Sequence, residues 1–305
     1  MNASVRIGGA ISRVVTPWWI RIGAKVMLSR LPLSYAMWRS LNVFVHGQMG
    51  RPEYVLGVFR RHFATAEMSN RGHFVALELG PGDSLGSVLI AQAHGAKFTY
   101  LVDAGEFATE DMQVYRELGR YLRSEGLESP DLDRVRNVAE MLKSCAGSYL
   151  SAGVESLRQV PTESVDFIWS HAVLEHVRRE QVRDVMLETR RILRSGGICS
   201  HRIDLTDHLG GSLNNLRIPT RWWEKDWMAR SGFYTNRLRK CDFIAIFEEA
   251  GFVVEVVSVD RWKSVPIKRD LLAREFRSLS DDELTVKAIS VLLRPMEKWR
   301  REARG

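Results

Sequence analysis

Cysteine is scarce: three residues in 305, Cys145, Cys199 and Cys241, odd in number and far apart. That spacing excludes a disulfide framework and a thiolate zinc pattern, and it fits a reducing compartment. Cys199 falls in a predicted strand, where a cysteine serves more readily as a small core residue than as a nucleophile. Long apolar runs are missing as well. No stretch reaches the roughly eighteen residues of a membrane-spanning helix. The N-terminus lacks the compact apolar core and small-residue cleavage site of a secretory signal, so the chain is expected in the cytoplasm. Glycine (23) and proline (9) are too few for a low-complexity or fibrous chain, and 45% apolar residues read as globular. A chain of this length can bury a real core, as one large domain or two small ones.

Acidic residues are scarce in one region only. Up to Arg71 the chain carries Arg6, Arg13, Arg21, Lys25, Arg30, Arg39, Arg51, Arg60, Arg61 and Arg71 against Glu53 and Glu67, while the remainder is nearly balanced. The net charge of +7 is therefore regional rather than a stripe along the whole protein, which speaks against a nucleic-acid partner. Residues 1–70 read as a basic, aromatic, helical extension. Within it, 16–46 starts at Thr16-Pro17, a good helix start, and places Trp19, Ile22 and Val26 at helical spacing with Arg21, Lys25 and Arg30 between them. Such an element suits a cap over a cleft, a homodimer contact, or the interface of a membrane's inner face.

From His73 onward the pattern alternates strand and helix. Strands are expected near 74–79, 97–103, 148–152, 165–170, 197–203, 252–259 and 285–293. Helices are expected near 85–94, 108–124, 175–194 and 237–250. This is an α/β order and implies a doubly wound, mostly parallel seven-stranded sheet. Residues 71–295 form this unit, and 296–305 are a charged tail. Two long connections interrupt it, 206–236 and 261–283. The first mixes Trp222, Trp223, Trp227, Phe233 and Tyr234 with basic residues and leaves the carboxyl end of strand five, where open α/β sheets bind ligands. It reads as a lid over a substrate, with an oligomer contact as the competing use.

The chemistry concentrates in Val75-Ala76-Leu77-Glu78-Leu79-Gly80-Pro81-Gly82-Asp83-Ser84. An apolar strand runs into two glycines one residue apart, and an apolar helix follows, so a ligand can approach the backbone closely. About twenty residues on, a second apolar strand ends in Asp103, an acid placed to accept both hydroxyls of a ribose. Glu78, ahead of the first glycine, would repel a pyrophosphate and suits a cofactor with an amino group.

These residues resemble the first motif of the class I S-adenosylmethionine-dependent methyltransferases, an acid followed by x-G-x-G. Ser164-Val165-Asp166-Phe167-Ile168-Trp169-Ser170-His171-Ala172-Val173-Leu174-Glu175-His176-Val177 resembles their fourth-strand block, and Ser195-Gly196-Gly197 the glycine turn that precedes strand five. The resemblance implies a Rossmann-like methyltransferase fold whose seventh strand runs antiparallel between strands five and six. It implies S-adenosyl-L-methionine as cofactor, held by Glu78, Gly80, Pro81, Gly82, Asp83, Asp103, Glu155 and Ser170.

Candidates for a base gather at the sheet's carboxyl edge: His171 and His176 after strand four, and His201, Asp204, Asp207 and His208 around strand five. His171, His176 and Asp204 are the expected catalytic residues. Asp204, Asp207 and His208 suit either an Asp-oriented histidine base or a divalent metal; the former is simpler, and no metal is expected. The reading that follows is O-methylation of a small-molecule or glycan-type acceptor, lipid-linked acceptors included. Chains with a similar basic, aromatic N-terminus accompany surface-glycan genes, which points toward polysaccharide biosynthesis. The alternatives are a nucleic-acid methyltransferase and a non-catalytic cofactor-binding subunit that docks a partner. Strand four ends in Ser-His-Ala-Val rather than an N-P-P-Y type motif, which disfavours the former.

Overall fold

The computed structural model describes residues 50–208 and 210–296. The element expected at 16–46 and most of the charged tail lie outside them.

Seven strands form one sheet: β1 (Phe74–Leu79), β2 (Ala96–Val102), β3 (Gly147–Leu150), β4 (Val165–His171), β5 (Leu193–Asp204), β6 (Phe252–Arg261) and β7 (Val286–Pro295). Their order is β3-β2-β1-β4-β5-β7-β6. The first five pair in parallel, and β7 runs antiparallel between β5 and β6. The expected doubly wound, mostly parallel sheet is therefore present. Its order reverses between β1 and β4, so the carboxyl ends of those strands frame a crevice.

The helices are α1 (Pro52–Thr65), α2 (Ser87–Ala93), α3 (Met112–Ser124), α4 (Val138–Ser144), α5 (Val154–Gln159), α6 (Val182–Ile192), α7 (Thr220–Trp223), α8 (Asp226–Ala229), α9 (Lys240–Glu249) and α10 (Asp281–Thr285). α1 begins with Pro52, has Glu53 in its first turn, and buries Val55, Leu56, Phe59, His62 and Phe63 at helical spacing. This face lies on one side of the sheet, where Phe59 meets Trp169 edge-on at 5.2 Å between ring centroids. Trp169 in turn stacks on Phe167 of the same strand. The last turns of the N-terminal extension thus belong to the sheet's own core. The opposite face packs Leu77, Ile168, Cys199 and Ile203 against α6 and α9 residues such as Met186, Phe243 and Phe247.

One expected helix is shorter than the sequence suggests. Residues 175–194 split into a turn, a 3-10 turn (Arg179–Gln181) and α6, because Glu175 and His176 are drawn into contacts with the end of β5 and with the first of the two long connections. Those connections pack on each other. Leu213 and Leu216 of the first share a cluster with Leu272, Ala273 and Phe276 of the second, and the Ala273 N–H donates to the Leu216 carbonyl (2.9 Å). Trp223, Met228, Phe233 and Tyr234 form a small core inside the first connection itself. Three of the five aromatic residues singled out in it are therefore structural. Trp222 and Trp227 remain exposed, at 51% and 43%.

Candidate active site

β1 ends at Leu79, and Gly80 and Gly82 follow with φ of +70° and +65°. A side chain in that left-handed region costs about 1–2 kcal/mol. Space forbids one at Gly80 as well: a Cβ there would lie 2.5 and 2.6 Å from the two methyls of Val173, in the turn after β4. Backbone bonds fix the turn. Gly80 N–H donates to the Val102 carbonyl (2.8 Å), and Gly153 N–H to the Asp103 carbonyl (2.8 Å). The Asp103 carboxylate accepts from Gly82 N–H (2.9 Å) and Ala104 N–H (2.7 Å). The ends of β1, β2 and β3 are thereby tied together around one half-buried carboxylate.

Glu78 sits beneath this turn, 3% exposed. Its carboxylate accepts from the Ser87 hydroxyl and from Trp169 Nε1 (3.1 Å). Burial pushes its pKa up to about 7 against the pull of those two donors. Glu78 thus connects β1, β4 and the start of α2. Asp83 is buried at 7%, and its carbonyl accepts from Thr109 N–H (2.9 Å). Glu155 is exposed on the first turn of α5 and pairs with Arg158. Ser170 is a correction to the sequence reading. It is fully buried, and its hydroxyl is bonded to His201 Nδ1 (2.8 Å) in the sheet's interior rather than facing the glycine turn. The reason is strand alternation: Ser170 and His171 point to opposite faces of β4.

On the α1 face a chain of polar contacts crosses from helix to sheet. His171 Nδ1 lies 3.1 Å from His62 Nε2, and His62 Nδ1 lies 2.8 Å from Ser200 Oγ. Burial, reinforced by neighbouring histidines and arginines, lowers His62 to about 3. His171 is lowered to about 4 by burial, then by Arg202 and Arg61. Both rings are neutral near pH 7. His171 opens onto a cavity of about 370 Å³ also lined by Tyr54, Arg202, Asp204, Thr206, Asp260 and Lys287. Arg202 pairs with Asp260 across it (2.7 Å). The lining mixes polar and apolar surface and carries charges of both signs.

His171 and Asp204, two of the three expected catalytic residues, share this cavity. His176 does not line it. Its ring is bonded through Nδ1 to the Tyr234 carbonyl (2.9 Å) and lies 4.7 Å from the His208 ring. The expected grouping of Asp204, Asp207 and His208 does not form either. Asp204 accepts from Thr206 N–H (2.8 Å), and Asp207, 2% exposed, accepts from Asn214 to shape the loop. His208 instead meets His176 and Glu175. Glu175 is 1% exposed, and burial pushes its pKa up to about 8.

Sequence reasoning missed His62, Tyr54, Asp260 and Lys287. His62 had a readable signal, a histidine on the apolar stripe of an amphipathic helix. The other three reach the cavity only through the packing of α1 and of β6 and β7.

Residues 120–200 match the family model of a methyltransferase domain, a span that holds the β4 block but not the turn at Gly80 and Gly82. No curated protein matches the sequence. Among solved structures, the chain is similar to the YcgJ protein of Bacillus subtilis at 18% identity, over 80% of this chain and 99% of that one, with a TM-score of 0.44. It is similar to an S-adenosylmethionine-dependent methyltransferase of Mesorhizobium loti at 17% identity, over 73% and 91%, with a TM-score of 0.41. A third likeness is to phosphoethanolamine N-methyltransferase 2 of Haemonchus contortus in complex with S-adenosyl-L-methionine, at 12% identity, over 80% and 53%, with a TM-score of 0.45. These likenesses are distant, and none of them assigns an acceptor to this chain.

Proposed function

We propose that this chain is a class I S-adenosylmethionine-dependent methyltransferase that methylates a hydroxyl of a small-molecule or glycan-type acceptor, with His171 as the base. The observation that carries this reading is the neutral imidazole of His171 at the wall of a cavity of about 370 Å³ lined by charged side chains of both signs. Amine acceptors need only arrive deprotonated, whereas an alcohol benefits from a positioned base worth ~10²–10⁴-fold.

The residues present fit the cofactor. Gly80 and Gly82 give close backbone approach, and Asp103, fixed by two N–H donors, is placed to accept ribose hydroxyls. The bound cofactor supplies an electrophilic methyl group on a sulfonium. The chain's part is to align the acceptor, exclude water and take one proton.

A base at His171 requires a lone pair on Nε2, hence the proton on Nδ1. That tautomer follows if His171 Nδ1–H donates to His62 Nε2 and His62 Nδ1–H donates to Ser200 Oγ, which the two distances allow. Arg202 and Lys287, with Asp204 and Asp260, supply donors and acceptors of the kind a polyhydroxylated or phosphorylated acceptor needs. The exposed Trp222 and Trp227 of the lid offer flat apolar faces at its surface, which suit a sugar or the edge of a lipid-linked one. Contact with a membrane through residues 16–46, and a homodimer, remain part of this proposal.

The test is turnover against a panel of hydroxylated acceptors, free sugars, nucleotide sugars and lipid-linked sugars, read as S-adenosylhomocysteine release. Product NMR should place the methyl on oxygen. His171→Ala should lose most turnover while keeping cofactor affinity. A product methylated on nitrogen, or full turnover by the variant, would overturn the assignment.

A further inference from the structure

A second cluster lies beside the catalytic cavity and is not used by the proposed reaction. It is built from the turn after β4 and the loop after β5. One ligand atom each from Glu175, His176 and His208 lies within 4.8 Å of the others.

Two observations point to a ligand. Glu175 is 1% exposed, and only one of its oxygens is bonded: Oε1 accepts from Asp204 N–H (3.2 Å). Oε2 is buried with no hydrogen-bond partner. A buried carboxylate oxygen without a donor is costly, so the pocket calls for a positive charge. The second observation concerns tautomer. His176 Nδ1 is 2.9 Å from the Tyr234 carbonyl, which can only accept, so Nδ1 carries the proton and Nε2 keeps its lone pair. A histidine anchored through one nitrogen to a backbone carbonyl is the usual outer arrangement of a metal-binding histidine.

We propose that Glu175, His176 and His208 bind one divalent cation of the zinc type. Two imidazoles and one carboxylate are borderline donors. They favour zinc or cobalt over magnesium or calcium, which take mainly oxygen ligands. A tetrahedral zinc with ligand bonds of about 2.0–2.1 Å sets its ligand atoms roughly 3.3 Å apart, so the trio closes through small side-chain rotations. Three protein ligands leave a fourth position for water or another oxygen donor. Because His176 also holds Tyr234, the ion would fasten the lid segment to the end of β4. This site goes beyond the methyl-transfer reading and does not depend on it.

The test uses full-length protein stripped with chelator and titrated with cobalt(II), followed by visible absorption, with zinc(II) in competition. One equivalent should bind and give the d–d bands of a low-coordinate nitrogen/oxygen site. His208→Ala, in a loop, should weaken binding by at least about 10-fold and abolish the zinc-induced rise in Tm. Glu175→Gln should do the same; should that variant fail to fold, His208→Ala decides. Folded wild-type protein that takes up no stoichiometric cobalt or zinc would overturn the site, as would unchanged affinity in His208→Ala. S-adenosylhomocysteine binding, measured on the same samples, separates the two readings. Cofactor binding without metal binding sinks the metal site alone, and metal binding without cofactor binding sinks the cofactor site alone.

Discussion

Replacing Asp103 with alanine tests the cofactor site most directly. The carboxylate is held by Gly82 N–H at 2.9 Å and Ala104 N–H at 2.7 Å, so its position is set before any ligand arrives. Two ribose hydroxyls donating to it would each contribute about 1.5–3 kcal/mol, as hydrogen bonds to a charged group. Losing both removes about 3–6 kcal/mol, and at about 1.4 kcal/mol per decade that is a roughly 10²–10⁴-fold rise in Kd. The variant also leaves the Gly82 and Ala104 amides without their acceptor, so some loosening of the turn adds to the loss. Asp103→Asn keeps a carbonyl for one amide and should fall between the two. Calorimetric titration with S-adenosylhomocysteine reads the effect, and the circular dichroism melt confirms the fold. If folded Asp103→Ala bound within about twofold of wild type, the ribose assignment and the cofactor geometry built on it would fail.

Other expectations follow from the same contacts. Gly80→Ala should destabilise by about 1–3 kcal/mol from overpacking against Val173, plus its left-handed φ, read as a shift in urea midpoint. Adding Val173→Ala should recover only the packing share. Acidification should destabilise the fold: His62 and His201 are lowered to about 3 from 6.5, so between those values the unfolded chain binds the extra protons and stability falls with falling pH. Urea midpoints across that range should show the slope, shallower in His201→Phe. Glu78 acts with the opposite sign. Its pKa is raised from 4.5 to about 7, so stability declines as pH climbs through that window, and Glu78→Gln should flatten the decline. Trp223→Ala should cost about 3–5 kcal/mol locally by emptying the lid's core, seen as faster proteolysis within 206–236.

The sheet was legible because short apolar runs and the turn at Gly80 and Gly82 are local signals, and every strand lies within a few residues of its expected place. The placement of Gly80, Gly82 and Asp103 was equally readable, since strand ends set it. What escaped depends on which face a residue takes and on what packs from a distance. Ser170 and His171 are neighbours in sequence, yet alternation sends one into the core with His201 and the other to the cavity. His62 is 109 residues from His171, and only the seating of α1 on the sheet brings them together. The aromatic residues of 206–236 read as a lid over a substrate because composition does not separate a small internal core from an exposed surface. His208 was grouped with its sequence neighbours Asp204 and Asp207, whereas the fold pairs it with the turn after β4.

The place of β7 between β5 and β6 has a consequence for how the protein is made. Among the described strands β6 pairs only with β7, which leaves the ribosome after it. Until residues 286–295 emerge, β6 has no strand to pair with, and Val253, Val256 and Val257, still 40–55% exposed in the finished fold, stand on an open ribbon. At about 5–20 residues per second that interval lasts a few seconds, long enough for a chaperone or a neighbouring nascent chain to find the edge first. The chain order of β6 and β7 therefore bears on how the fold is reached as well as on its architecture.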